Sequence, residues 1–194
     1  ALVALAGAAA RARVGIAERS LDPSMAVRLR VVEVVAEVVG SLAGFELLAP
    51  SLPEIFRRIL DKKPLVREAC IDAMASLYRE HALPACAEGR YEFCEQFAWI
   101  PQLLCEAFAV FAGGRLGHTA QLEESIESCV LGCGDGLSPA RRARALLAFV
   151  APALRQPAAA QGLRQLLARK RDTNAAMRRL IELRMAKGGP ILVA

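Results

Sequence analysis

The sequence predicts an all-α fold, a HEAT-type α-solenoid of antiparallel helix pairs, and three observations carry that reading. The chain has 194 residues and is 55% hydrophobic but only 5% aromatic, with alanine, leucine and valine supplying most of the apolar content. Ala and Leu lead the helix scale, and the aromatic clusters that mark sheets are missing. A segment also repeats: Asp22, Val27 and Arg28 return as Asp61, Val66 and Arg67, each 39 positions later. That period lies close to the about 40–47 residues of HEAT and armadillo units. Third, both copies open with a helix-start signal and continue with apolar residues at helical spacing.

The copies read DPSMAVRLRVVEVVAEV and DKKPLVREACIDAMASL. Their apolar positions stay in register, Val31 with Cys70, Val32 with Ile71, Val35 with Met74 and Val38 with Leu77. Asp22 is placed to cap a helix whose first turn holds Pro23, where a missing N–H costs nothing, and Pro64 opens the second copy in the same way. Val27, Val31, Val35 and Val38 then form the expected stripe of the first copy. Between the copies, SLPEIFRRIL predicts a shorter helix opened by Ser51 and closed near Asp61. Each unit is a helix, a tight turn and a second helix, and neither helix buries its stripe until the next pair stacks on it. Because Asp22, Arg28, Asp61 and Arg67 recur with the repeat, they are expected to bond as a ladder between units. Ligand binding by the same arginines is the other reading.

The whole chain, 1–194, reads as a single α-solenoid segment. Residues 1–80 hold two clear HEAT-like units, 81–137 degenerate repeats, and 138–189 a basic helical end. Leu83 to Phe97, with Pro84 and Gly89, reads as a loop or a broken helix. AWIPQLLCEAFAVFAGG gives an apolar helix stopped by Gly113-Gly114. AQLEESIESCVLG gives another, with Leu122, Ile126 and Cys129 on one face. Gly132, Gly134 and Gly136 interrupt the chain before Ser138-Pro139 starts the next helix. SPARRARALLAFVAPAL, GLRQLLARKR and TNAAMRRLIELRMAKG are expected as three separate helices, the last closed by Gly188-Gly189. The alanine start and the small or apolar ends suggest a segment of a longer chain. Ala1 to Ala10, before Arg11 and Arg13, reads as the tail of a preceding repeat helix rather than of a targeting peptide. No membrane span is expected, since Glu46 breaks the most apolar run, Val38 to Pro53.

Little in the sequence supports catalysis. Six cysteines stand at 70, 86, 94, 105, 129 and 133, with His81 and His118 as the histidines. No C-x-x-C occurs. Cys129 and Cys133 would share a helix face, but the second ligand pair of a zinc site is absent. Scattered cysteines on helices act as small buried hydrophobes, which suits a reducing compartment, cytosol or nucleus. Phosphate-loop, dinucleotide and zinc-protease motifs are missing, GGRLGH fits a helix-to-helix turn, and Glu123-Glu124 reads as an exposed helix start. Neither an enzyme nor a cofactor nor a metal is expected.

Charge is unevenly spread. The net +5 divides into +10 over residues 139–187 and −5 elsewhere. Arg141, Arg142, Arg144, Arg169, Lys170, Arg171, Arg178 and Arg179 are the candidate partner- or anion-binding residues, joined in the basic stretch by Arg164 and Arg184. A merely solvated outer face is the competing reading. With Phe149 the one aromatic in this region, base stacking is poorly served. Any DNA contact would run through the phosphate backbone without sequence choice.

Two stretches carry a resemblance. DKKPLVREACIDAMASLYREH followed by FAWIPQLLCEAF resembles the cohesin-associated regulators of the "precocious dissociation of sisters" family, which are long HEAT-repeat proteins. The matching residues are Asp61, Lys62, Lys63, Val66, Arg67, Leu77 and Tyr78, then Trp99, Ile100 and Pro101. RKRDTNAAMRRLIELR is similar to a basic helical stretch of the same family. The likeness spans roughly residues 21–187 and is strongest at 55–108. It implies a nuclear, chromatin-associated scaffold that binds the kleisin subunit of cohesin alongside other cohesin regulators. Such a scaffold helps maintain and release sister-chromatid cohesion, with roles in mitosis and DNA repair. It implies no individual contact residue here. The alternative is a general HEAT adaptor for acidic peptide or nucleic-acid backbone.

Overall fold

The computed structural model describes residues 2–112, 119–131 and 138–186, and among these there is no strand. The protein is an all-α, HEAT-like helical solenoid. A tight turn joins α1 (Leu2–Arg19) to α2 (Met25–Val39), making the first antiparallel pair. The next pair is built from α3 (Leu42–Leu48) and α4 (Leu52–Phe56), leading through the turn at Asp61 into α5 (Pro64–Leu77). Short α6 (Leu83–Ala87) and α7 (Tyr91–Glu95) precede α8 (Trp99–Ala112), which pairs with α9 (Thr119–Ser125). The chain continues into α10 (Pro139–Ala153) and α11 (Pro157–Ala186). Helices α1, α4 and α8 neighbour one another in one layer, and α2, α5 and α9 in the other.

Prolines set the irregularities. Pro50 and Pro53 each remove a helical donor, so the stretch expected as one short helix splits, with 3₁₀ turns at Ala49–Ser51 and Arg57–Leu60 on either side of α4. Pro84 acts differently. Its ring would collide with the carbonyl four residues back, and a π-helical turn at Tyr78–Ala82 widens the helix just before it. Of the loop or broken helix expected from Leu83, the structure has the broken helix: α5 runs through the π turn into α6. Gly89, with φ of 78°, then turns the chain into α7, a backbone conformation that side chains disfavour.

Two further expectations are corrected. Residues 157–186 form one 30-residue helix, not two. The Asp172-Thr173 step offers no break, because Thr173 Oγ1 bonds back to the Arg169 carbonyl at 2.9 Å and stays within helical geometry. In α2 the buried stripe is Val32, Val35 and Val39, whereas Val38 is 37% exposed and Val27 and Val31 are half-buried. In α5 the equivalents Val66, Cys70, Ile71, Met74 and Leu77 are all buried. The difference follows from stacking, since α5 lies between α2 and α9 while α2 meets α5 alone in its layer. The glycines at 113–114, 132–136 and 188–189, GGRLGH, His118 and Cys133 lie outside the described residues, as does the side chain of Cys129.

One continuous core runs from Val32 to Leu166. Phe45 stacks on Phe97 at 4.6 Å between centroids, and Trp99 stacks on Phe56 at 5.5 Å. With Ile100 and Pro101 buried, the Trp-Ile-Pro stretch anchors α8 to the preceding unit. Helix α11 lies closely along α8, and a Cβ at Gly162 would stand 1.8 Å from the Cys105 carbonyl oxygen. Gly162→Ala is therefore expected to force these helices apart and cost about 3 kcal/mol, measured as a lowered midpoint in urea unfolding of wild type and variant.

Candidate functional site: the arginine–aspartate ladder and the basic helices

The turn between the two helices of each unit has the same local construction. Asp22 Oδ1 accepts the Ser24 N–H at 2.9 Å, and Asp61 Oδ1 accepts the Lys63 N–H at 2.9 Å. The aspartates thus close the turns two residues ahead of the helix caps, Ser24 and Lys63, rather than capping the helices themselves. Arg28 Nη1 donates to the Asp22 carbonyl at 2.8 Å, and Arg67 Nη1 donates to the Asp61 carbonyl at 2.7 Å. Each arginine reaches back six residues to tie its helix to its own turn.

Between units the contact is a paired fork. Arg28 Nε and Nη2 donate to Asp61 Oδ2 and Oδ1 at 2.7 and 2.9 Å. The planar guanidinium suits both carboxylate oxygens at once, which a lysine would not. The pair is well shielded, with side-chain exposures of 12% and 4%. Burial by itself pushes the Asp61 carboxyl up. The Arg28 hydrogen bonds, the Lys63 N–H and the charges of Arg28 and Arg58 outweigh it and hold the group below its ordinary value. Asp22 is also lowered, first by its bond from the Ser24 N–H. Its side-chain partner is the largely exposed Arg19 of the same unit, at 3.1 Å.

The candidate basic residues fall on two helices with different neighbours. Arg141, Arg142 and Arg144 belong to α10, which packs on α7, α8 and the π turn Ile126–Leu131. Arg141 Nη1 lies 3.4 Å from the Ala87 carbonyl, Arg142 is half-buried and Arg144 is exposed. The others lie on α11. Arg169 meets Glu123 at 3.5 Å, and Lys170 meets Glu123 at 3.3 Å as well as Glu127. The bond to Glu127 leads the causes that hold the Lys170 ammonium above its ordinary value. Arg171 lies 3.6 Å from its exposed neighbour Asp172. Arg178 and Arg179 are fully on the surface and share a shallow groove along α11 with Lys170 and Arg171.

Sequence reasoning left Glu123 as an exposed helix start, yet its side chain is only 18% exposed and faces α11. The spacing of Glu123 and Glu127, four apart on a helix with no basic residue of its own, is the signal in the sequence. Cys70, Cys86, Cys94 and Cys105 are buried thiols, and burial pushes Cys105 up to about 12. His81 sits in the π turn, its ring 6.0 Å from those of both Phe45 and Phe97, beside the stacked pair, with Nε2 at 3.2 Å from the Val39 carbonyl. Among the described residues no group of three or more His, Cys, Asp or Glu side chains is arranged to hold a metal. No helix among them is long and apolar enough to cross a membrane.

Comparison with known proteins supplies the context for this surface. The family described as Sister chromatid cohesion protein PDS5 matches residues 5–191. The chain belongs to that family. No curated protein and no solved structure gives a significant match. Membership places the chain among proteins of sister-chromatid cohesion that associate with the cohesin complex. The family residues quoted above largely sit in the packing: Val66, Arg67, Leu77, Tyr78, Ile100 and Pro101 are buried, and Trp99 is partly so.

The Asp61 pair has a pH signature. Its folded-state pKa is depressed, so its stabilisation is present above the unfolded value near about 3.9 and is lost as pH falls through the folded value. Asp61→Ala is expected to cost about 3 kcal/mol at pH 7 by leaving Arg28 without its countercharge. That cost should shrink below about pH 4, read from denaturation midpoints of both proteins between pH 7 and pH 2.

Proposed function

We propose that this chain is a non-enzymatic scaffold that binds cohesin through its kleisin subunit and regulates the maintenance and release of sister-chromatid cohesion in the nucleus. The observation that carries the reading is the family match over residues 5–191. A stacked helical fold serves such a role by holding an extended partner segment against a rigid curved surface, with a few buried anchors supplying most of the affinity. The units are stiffened by the fork between Arg28 and Asp61, and exposed arginines run along the last two helices. Kleisin should be captured by the wild-type full-length protein. Failure of a purified kleisin subunit to bind that protein would remove this reading.

A second reading rests on the exposed cations of α11. Arg171, Arg178 and Arg179 offer an acidic peptide or nucleic-acid backbone a linear array of positive charge. The charge reversal Arg178→Glu with Arg179→Glu separates the two. Under the first reading kleisin binding changes by less than about threefold if its anchors are apolar. Under the second, binding of a 30-base-pair duplex collapses. Wild-type duplex binding would then fall about 10³-fold between 50 and 200 mM salt if some six phosphates are engaged, measured by fluorescence anisotropy.

A further inference from the structure

Helix α2 carries apolar side chains on two faces, and the described fold covers one of them. Val32, Val35 and Val39 are buried in the core. Val27, Val31 and Val34 are half-buried and, with Ile16 of α1, line an open groove of about 390 Å³ between α1 and α2. The groove is apolar inside, with the exposed side chains of Arg19 and Arg30 along its rim. Arg30 is already held by Glu33 and Glu37 of its own helix, at 3.1 and 3.7 Å.

The 39-residue register says what chemistry belongs there. Val27, Val31 and Val34 correspond to Val66, Cys70 and Ala73, all three buried in α5, the helix that α2 packs against. The same register pairs Asp22 with Asp61. Each uses Oδ1 to accept a backbone N–H of its own turn. Asp61 then receives both nitrogens of the Arg28 fork from the neighbouring unit. Asp22 instead meets Arg19 of its own unit, through one oxygen at 3.1 Å, and that arginine is 71% exposed. An ion pair of this kind contributes little and exchanges readily. Because Arg19 also lines the groove, the Asp22 carboxylate stands beside the groove's rim.

We propose that this groove and the Asp22 carboxylate beside it form a docking site for an amphipathic helix of a partner protein. The helix that fits has the chemistry of α2 itself, a stripe of branched apolar side chains with an arginine near its start. Its stripe takes Val27, Val31 and Val34 out of water, in the manner of a helix laid into a groove. Its arginine displaces Arg19 and forks onto Asp22 with two parallel N–H···O bonds. The contact that α2 makes with α5 and Asp61 is thereby repeated one unit earlier, with the partner's helix in the place of α2. Apolar area supplies the affinity, and the fork fixes the register of the bound helix.

The probe is a fluorescein-labelled peptide with the sequence of residues 21–40, stapled across its exposed positions 33 and 37 so that it does not bear the cost of helix nucleation. Fluorescence anisotropy follows its binding to the whole chain at pH 7. Binding should be saturable, and should weaken by about tenfold or more when Arg28 of the peptide is replaced by lysine or when the protein carries Asp22→Asn. Val34→Glu, on the groove wall, should abolish it. Arg19→Ala, which removes an exposed side chain, should tighten it by about two- to threefold, since the fork no longer has a competitor on Asp22. Absence of saturable binding to wild type overturns the proposal, whether or not the variants fold. So does binding that is unchanged by both the lysine peptide and Val34→Glu. A wild-type dimer in sedimentation velocity that Val34→Glu dissociates also overturns it, by making a second copy the occupant of the groove.

Discussion

The junction between successive helix pairs depends on one buried contact, in which the guanidinium of Arg28 grips both oxygens of Asp61 while its third nitrogen holds the Asp22 turn. Apolar packing alone would let stacked helices slide by small amounts, because dispersion and burial are non-directional. A fork bonded at both ends is directional. It fixes the second helix of one unit to the turn of the next, and so fixes the rotation between units on which any superhelix depends.

The rest of the molecule adapts to that junction. Prolines break the helix before Asp61 into short α and 3₁₀ pieces, which lets Phe56 and Ile59 reach the core on either side of the break. The π turn ahead of Pro84 brings His81 against the stacked rings of Phe45 and Phe97, so an irregular backbone is stabilised by ring contacts at the same place. Further on, the ladder gives way to other means of attachment. Trp99 stacks on Phe56, and Gly162 lets α11 lie closely on α8. Glu123 and Glu127 then clip α11 to α9 through Arg169 and Lys170. The first units are joined by a buried ion pair, the later ones by close apolar contact with a more exposed ionic rim.

That change of attachment bears on how the surface can serve a cohesion protein. Part of the basic charge of α11 is already committed to the acidic helix beside it, since Lys170 faces two carboxylates. The cations left open are those farther along, Arg178 and Arg179, on the part of the helix with no neighbour among the described residues. A count of basic residues along the chain does not separate the two groups. The fold does, because it decides which of them meets Glu123 and Glu127.

The sequence by itself determined the helical class and the 39-residue register that makes Arg28 and Arg67 equivalents. It also carried the family resemblance through residues that turn out to be mostly internal. These follow from local propensity and from periodicity, which act within a few turns of chain. It misjudged the stripe of α2 and the unbroken length of α11, and it did not choose between loop and broken helix after Leu83. Each of those is set by what lies alongside rather than by the neighbours in sequence. The repeat led to the expectation of bonds between units, but only the tertiary structure decided that Arg28 meets Asp61 with two nitrogens while the matching nitrogens of Arg67 meet no acceptor among the described residues. A hydrogen bond needs two groups brought within about 3 Å at the right angle, and the repeat sets which residues are equivalent but not which of them complete that approach.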